Sequence, residues 1–326
     1  MKLFIEKKCF HEETLYPLVW DFHDDDSVVY TNARSFGLEL IDNLPVKHNK
    51  YRFLDVFWTL LTKPVNTVFF NTFEDFEFCF FVLLAYFRKI EINVLAHNLG
   101  FFFDCGNINK SKRERLFSPI FKRFITPLLK NIYVLDKRMI DVVSSSAYAW
   151  KLQEYATTSL SKHNLFPIKD LKLDEFNYVC LIGDISYKKR NYDFLFSING
   201  AELQRKKIKF VFCGNVSICD GNNLVLKLKE KGLLDYCVFF DRYLSYAELF
   251  YVLSNSCFSV VLKKDWYGFN KTSATEHISK AFGIPCLEPS ACISLLNMVE
   301  IDYAQMNQKF AYQIASAVQN AANSLQ

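Results

Sequence analysis

The C-terminal half of the chain alternates short, continuous apolar runs with segments whose apolar residues recur at helical spacing. The apolar runs predict five strands, over residues 178–182, 208–213, 237–240, 257–262 and 284–287. The segments between them predict four helices, near residues 192–204, 224–231, 245–253 and 273–282. Continuous apolar strands that alternate with helices are typical of a parallel sheet covered on both faces. The sequence therefore predicts a Rossmann-like α/β domain in this half.

The N-terminal half carries the same pattern less regularly. Its apolar runs predict strands over residues 27–31, 67–70, 92–96 and 132–135, with a long helix over residues 73–88. Residues 159–173 are polar, contain a proline and lack a sustained period, which favours a linker with a boundary near Pro167. With 326 residues, two domains are expected. We predict domains over residues 1–166 and 167–310, and a C-terminal helix over 311–326 that could pack back across them.

Composition excludes several classes of protein. The net charge of +4 is too small for nucleic-acid binding, which needs a concentrated basic surface. The ten cysteines are scattered without metal-ligand spacing, which argues against a metal site and favours free thiols in a reducing compartment. The N-terminus lacks a secretory signal, and the most apolar stretch is far shorter than the roughly 20 residues that span a bilayer. We therefore expect a cytoplasmic protein.

Residues 266–287 join a predicted strand to a predicted helix through a loop that contains glycine, asparagine and lysine. Ser273 and Glu276 have the spacing of a capping box, which defines the start of that helix. A helix N-terminus beside Lys271 is suited to binding a diphosphate. The residues leave a second interpretation open, in which Ser273 and Glu276 only cap the start of the helix and Lys271 is solvated.

Four segments, in this order, resemble a large family of retaining GT-B glycosyltransferases (family 4/1-like) that use nucleotide sugars and include bacterial polysaccharide and lipopolysaccharide enzymes. They are IGDISYKKRNYDFL, FVFCGN, VFFDRYLSYAELFYVLSNSCFSVVL and GFNKTSATEHISKAFGIPCL. The resemblance implies two Rossmann-like domains that face each other across a cleft. It also implies metal-independent transfer of a sugar from a nucleotide-sugar, bound as a substrate with no cofactor, to a glycan or lipid-linked acceptor.

The resemblance also implies roles for individual residues. Glu276 matches the glutamate that accepts hydrogen bonds from the ribose hydroxyls. Lys189 or Arg190 matches the basic residue that neutralises the diphosphate as the sugar bond breaks, although a solvated basic loop is the alternative. The remaining predicted donor-binding residues are Gly183, Gly214, Asn270, Lys271, Thr272 and Ser273.

The chain departs from the family pattern at two places. The family often has a first glutamate about eight residues before the second, whereas this chain has Tyr267, Gly268 and Phe269 there. Asp184 follows Gly183, where many members have arginine. Two alternatives therefore stay open: an enzyme on the same architecture that epimerises nucleotide-sugars, and a non-catalytic assembly partner.

Two features of the N-terminal half carry further hypotheses. His97 follows a predicted strand, where related enzymes have a histidine that faces the acceptor and the donor phosphate. A structural role for His97, bonded to the backbone, is equally open. Residues 110–130 are basic and amphipathic, which predicts peripheral membrane contact at the inner face of the membrane. The alternative is a helix packed on the N-terminal sheet with a solvated basic face.

Overall fold

The structure is a computed structural model that describes residues 1–8, 11–32, 40, 42–71, 75–105, 112–143, 146–162, 165–169, 171–186, 190–216, 221–262 and 274–297. The described residues up to Leu160 form one compact unit, and those from Ser161 onward form a second. Each unit contains one parallel sheet. The boundary near Pro167 stays a prediction, and the helix predicted over 311–326 lies outside the described residues.

The sheet of the first unit has seven parallel strands in the order β3-β2-β1-β4-β5-β6-β7. The strands are β1 (Lys2–Glu6), β2 (Val28–Thr31), β3 (Lys47–Lys50), β4 (Thr67–Asn71), β5 (Glu91–Leu95), β6 (Asn131–Val134) and β7 (Leu152–Glu154). The four strands predicted in this half are confirmed as β2, β4, β5 and β6. The chain adds β2 and β3 on one side of β1 and then crosses to the other side, where β4 pairs with β1. The strand order therefore reverses between β1 and β4.

The helices of the first unit are α1 (Glu12–Phe22), α2 (Phe53–Thr62), α3 (Phe76–Phe87), α4 (Lys112–Ile120) and α5 (Lys137–Asp141). The helix predicted over residues 73–88 is confirmed as α3. After α4 the chain continues as a π-helical turn (Phe121–Ile125) and a 3-10 turn (Thr126–Leu128). The changes in helix type fall between Pro119 and Pro127, each of which lacks the N–H that an α-helix needs.

The sheet of the second unit has five parallel strands in the order β10-β9-β8-β11-β12. All five predicted strands are confirmed, as β8 (Asn177–Ile182), β9 (Ile208–Asn215), β10 (Cys237–Phe240), β11 (Ser256–Val260) and β12 (Cys286–Leu287). The helices are α6 (Gly200–Arg205), α7 (Gly221–Glu230), α8 (Tyr246–Ser254), α9 (Ala274–Ala281) and α10 (Pro289–Asn297). Here the strand order reverses between β8 and β11.

One predicted helix of the second unit is wrong in its extent. Residues 192–204 form a 3-10 turn (Asp193–Ser197) and then α6, not one continuous helix. The break lies at Ile198 and Asn199, which are extended. The side chain of Asn199 accepts a hydrogen bond from the Ala201 N–H and so starts a new helix. An asparagine side chain can accept a hydrogen bond from a backbone N–H in place of a backbone carbonyl. This favours the start of a new helix over the continuation of the preceding turn.

Candidate functional site

The carboxyl edge of the second sheet, where the strand order reverses, gathers the loops that follow β8, β9, β10 and β11. The backbone N–H of Asn191 donates to the carbonyl of Leu262 at 3.3 Å, which ties the β8 loop to the end of β11. The hydroxyl of Tyr243, in the β10 loop, donates to a carboxylate oxygen of Asp184 at 3.5 Å. Open α/β sheets bind ligands at this kind of edge because helix N-termini and flexible loops meet there.

Three of the predicted donor-binding residues lie in contact at this edge. Gly183 follows β8 with φ +98°, and a Cβ added to it would be 2.1 Å from Nη2 of Arg190. A Cβ on Gly214, at the end of β9, would be 2.3 Å from the Gly183 carbonyl oxygen. Gly183 therefore leaves room for the guanidinium to lie directly on its backbone, and Gly214 leaves room for the close approach of the Gly183 carbonyl. A guanidinium at this position can present its N–H donors to an anion such as a diphosphate.

Asp184 departs from the family pattern, and the structure shows what holds it. Its backbone carbonyl accepts a hydrogen bond from the Tyr192 hydroxyl at 3.4 Å, and its carboxylate accepts the bond from Tyr243. Tyr243 was not predicted as a site residue. Its position three residues after β10 is the signal that places it at the carboxyl edge.

Glu276 lies in the first turn of α9, the helix that follows β11. A helix after a parallel strand runs back along the sheet, so its first turn lies at the carboxyl edge. The helix is anchored beneath that turn, because the hydroxyls of Ser279 and Ser259 are 2.7 Å apart in the core. The ring of Phe282 also packs 4.8 Å from that of Phe250. The helix that carries the half-buried Glu276 is therefore held in place by packing against the core.

Five predicted site residues lie outside the described residues: Lys189, Asn270, Lys271, Thr272 and Ser273. The capping box predicted from Ser273 and Glu276 therefore stays a prediction. A complete capping box is found instead at the start of α8, where Ser245 and Glu248 exchange side-chain hydrogen bonds with each other's backbone N–H.

A second polar cluster lies at the carboxyl edge of the first sheet, where the order reverses between β1 and β4. It contains five polar side chains that are almost completely buried: Glu6, Glu13, Thr14, Asn71 and Glu114. The Thr14 hydroxyl donates to the side-chain oxygen of Asn71 at 3.1 Å, and the Asn71 amide donates to the carbonyl of His11 at 3.2 Å. Buried polar groups that are bonded in this way fix the local geometry.

His97 belongs to this cluster. Its ring centroid is 4.6 Å from that of His11, and its Nε2 is 3.5 Å from the Thr14 hydroxyl. His11 Nδ1 in turn is 3.7 Å from a carboxylate oxygen of Glu13. Burial favours neutral His11, but the neighbouring Glu13 carboxylate and the charge of Glu6 outweigh burial and raise the pKa of His11. An imidazole beside a carboxylate is a group that can accept and release a proton.

The role of His11 and Glu13 was missed in the sequence because no strand was predicted over β1. Once β1 is in place, both residues follow the first strand closely and fall at the carboxyl edge. In the described part of the chain, no three His, Cys, Asp or Glu side chains are grouped so as to hold a metal ion.

The fold is similar to that of solved glycosyltransferase structures. HepE from Anabaena in complex with UDP-glucose has a TM-score of 0.62 and 11% identity, over 99% of this chain and 94% of that chain. A glycosyltransferase from Rickettsia africae has a TM-score of 0.55 and 9% identity, over 99% of this chain and 97% of that one. The chain has the GT-B fold. No protein-family model matches this chain, and no curated protein matches it in sequence.

Proposed function

We propose that the chain transfers a glycosyl group from a nucleotide-sugar donor to a glycan or lipid-linked acceptor in surface polysaccharide synthesis. The observation that carries this proposal is the contact between Arg190, Gly183 and Gly214 at the carboxyl edge of the second sheet. It is supported by the GT-B fold and by the UDP-glucose that HepE, a protein of similar structure, binds in its crystal structure.

In this proposal the second unit binds the donor. Arg190, with Lys189, Lys271 and the N–H groups at Thr272 and Ser273, holds the diphosphate. Negative charge grows on the departing phosphate oxygen as the sugar bond breaks, and fixed cationic donors stabilise that charge most when it is fully developed. Glu276 accepts hydrogen bonds from the ribose hydroxyls. These residues supply the stabilisation without a metal ion.

The first unit supplies the acceptor-side chemistry in this proposal. The acceptor hydroxyl must lose its proton as it attacks the sugar, and His97, beside His11 and Glu13, lies among groups that can take one. The sequence resemblance to retaining enzymes supports transfer with retention of the anomeric configuration. The coupling constant of the anomeric proton in the product, measured by NMR, tests that part.

A lipid-linked acceptor would place the protein at the inner face of the membrane in the cytoplasm. Residues 110–130 are proposed to contact that membrane. The part of this segment that the structure describes, from Lys112 on, exposes Leu116, Ile120 and Phe124 next to basic side chains. Interleaved apolar and basic residues of this kind suit an anionic lipid surface.

The test is release of nucleoside diphosphate from a panel of nucleotide-sugars, with wild type, Arg190→Ala and Glu276→Ala. Glu230→Ala is the matched control, since Glu230 is an exposed glutamate of the same unit. Acceptor-dependent release that both site variants lose supports the proposal. Epimerised donor without an acceptor would favour the epimerase alternative, and no binding of any nucleotide would favour the assembly partner.

A further inference from the structure

Helix α3 is apolar around its whole circumference. Its inner side buries Phe78, Cys79, Phe81, Val82 and Ala85. Its outer side is also apolar, with large side chains that face solvent: Phe76 (73% exposed), Phe80 (37%), Leu83 (42%), Tyr86 (52%) and Phe87 (77%). The helix contains a single charged residue, Glu77. A helix at the surface of a domain normally has a polar outer side. The large exposed apolar surface of α3 therefore indicates an interaction site.

The neighbouring helix α2 extends the same surface. It exposes Leu54 (63%) and Trp58 (55%), while Val56 and Leu60 face the core. The ring of Phe80 on α3 lies 5.5 Å from Phe53 and 5.9 Å from Phe57, so the two outer sides are continuous. We call the seven exposed residues the aromatic face: Leu54, Trp58, Phe76, Phe80, Leu83, Tyr86 and Phe87.

The third element on this side of the sheet is α4 with its π-helical turn. Phe121 of that turn packs 5.3 Å from Phe78, in the same core that α2 and α3 share. Its outer side exposes Leu116, Ile120 and Phe124, with the Arg123 guanidinium 5.5 Å from the Phe124 ring. A groove of about 600 Å³ lies between the end of α3 and this element. Its lining includes Tyr86, Phe87, Lys89, Leu128 and Lys130.

The charged side chains of these three elements are mostly basic. The exposed cations are Arg52, Lys63, Arg88, Lys89, Lys112, Arg115, Arg123 and Lys130. Over the same helices and their flanking residues, the acidic residues are Asp55, which is exposed, Asp75 and Glu77, which are bonded to Lys7, Glu91, which is bonded to Lys130, and Glu114, which is buried. The aromatic face is thus bordered by positive charge.

We propose that the aromatic face docks onto an anionic lipid bilayer. The basic border complements anionic headgroups, while tryptophan, tyrosine and phenylalanine are suited to the depth where headgroups meet acyl chains. A symmetric dimer through the same face would bring the cationic borders of two copies together, which like-charge repulsion opposes. No described helix is long and apolar enough to cross a membrane.

This inference goes beyond the contact proposed for residues 110–130, because it puts α3 and α2 at the centre of the surface and that segment at its border. It also requires neither donor nor acceptor. If the membrane contact of α3 and α2 is absent, the proposal of glycosyl transfer still stands. If the chain does not bind the donor, the proposal of the membrane contact still stands.

The test uses the full chain with vesicles of phosphatidylcholine alone or with about 30 mol% phosphatidylglycerol, in co-sedimentation. Wild type is expected to bind the anionic vesicles. The variant Phe76→Ser/Leu83→Ser/Phe87→Ser is expected to lose about tenfold or more in binding, because it removes apolar surface that would insert. The three side chains are exposed, and an unchanged melting temperature confirms that the variant folds.

Tryptophan fluorescence provides the second measurement. Brominated lipid is expected to quench the emission of Trp58, so quenching disappears in Trp58→Phe and persists in Trp150→Phe. Trp150 is the matched control because it is 74% exposed but lies outside the aromatic face. Three results would overturn the proposal: no binding to anionic vesicles, equal binding by wild type and the triple variant, or a wild-type dimer in solution that the triple variant dissociates.

Discussion

The guanidinium of Arg190 lies directly on Gly183, at a place where an added Cβ would be 2.1 Å from Nη2. The substitution Gly183→Ala must therefore displace the guanidinium, and it also puts a side chain at φ +98°. We expect the affinity for the nucleoside diphosphate to fall about tenfold or more, as for loss of one charge-assisted hydrogen bond. Isothermal titration calorimetry measures this change.

The matched control for that variant is Gly232→Ala. Gly232 also has a positive φ, +65°, but no atom lies within 4 Å of its Cβ position. Both variants should lower the free energy of unfolding by about 1–2 kcal/mol through backbone strain. Only Gly183→Ala should lose nucleotide affinity. Equal affinities in the two variants would show that Arg190 does not bind the ligand.

Glu276→Gln tests the other part of the donor site. The amide has the size of the carboxylate but is neutral, so hydrogen bonds from the ribose hydroxyls weaken. We expect nucleoside diphosphate to bind about tenfold more weakly, and the affinity for a ribose-free pyrophosphate to stay unchanged. Glu230→Gln should behave as wild type with both ligands. A parallel loss with pyrophosphate would remove the ribose role of Glu276.

The sequence predicted the second sheet well because each of its strands is a continuous apolar run, a pattern that is unfavourable in a segment exposed to water. It failed at β3, whose residues Lys47–Lys50 are all polar because the strand lies at the sheet edge. It failed at β7, a three-residue edge strand, for the same physical reason. These two edge strands bury few of their side chains, so their sequences carry little apolar pattern.

The candidate site was predictable where chain order alone places residues at a sheet edge. Gly183 and Gly214 follow apolar strands, so their positions could be predicted, but the contact of Arg190 with Gly183 is a matter of loop geometry. The cluster of His11, Glu13 and His97 was hidden because His11 and Glu13 follow β1, whereas His97 follows β5. A sequence pattern within one segment cannot report a contact across 86 residues of chain.

The pKa of His11 is expected to exceed its ordinary value of 6.5, since Glu13 and Glu6 together outweigh burial and the opposing charge of Lys8. Glu13→Gln removes the nearest negative charge and should lower that pKa. An NMR titration of the His11 imidazole, which lies beside the tilted ring of His97, measures both values. A wild-type pKa at or below 6.5 would contradict the electrostatic account.

The same shift predicts how stability depends on pH. A pKa raised in the folded state stabilises the fold fully below the unfolded value of 6.5. That contribution is lost as the pH rises through the folded pKa. The difference in free energy of unfolding between wild type and Glu13→Gln should therefore be larger at about pH 5.5 than at about pH 9. Urea denaturation at the two pH values checks the sign.

Lys151 stabilises the end of the 3-10 turn. It is 5% exposed, and its ammonium donates to the carbonyls of Thr126, Pro127 and Leu129. Lys151→Met removes these three charge-assisted bonds, and we expect the free energy of unfolding to fall by about 2–4 kcal/mol. Lys137→Met, at an exposed lysine, should change it by less than about 0.5 kcal/mol. Equal effects in urea denaturation would contradict the role of Lys151.

The measurement that tests the central claim most directly is a thermal-shift panel of nucleotides and their sugars on the wild-type chain. At about 100 times its dissociation constant, a ligand of the folded state adds about 2.7 kcal/mol to the free energy of unfolding. The proposed donor site predicts that at least one base raises the melting temperature by several degrees, and that Arg190→Ala loses most of this shift. A melting temperature unmoved by UDP, GDP, ADP, CMP and their sugars would contradict the claim that this chain binds a nucleotide-sugar.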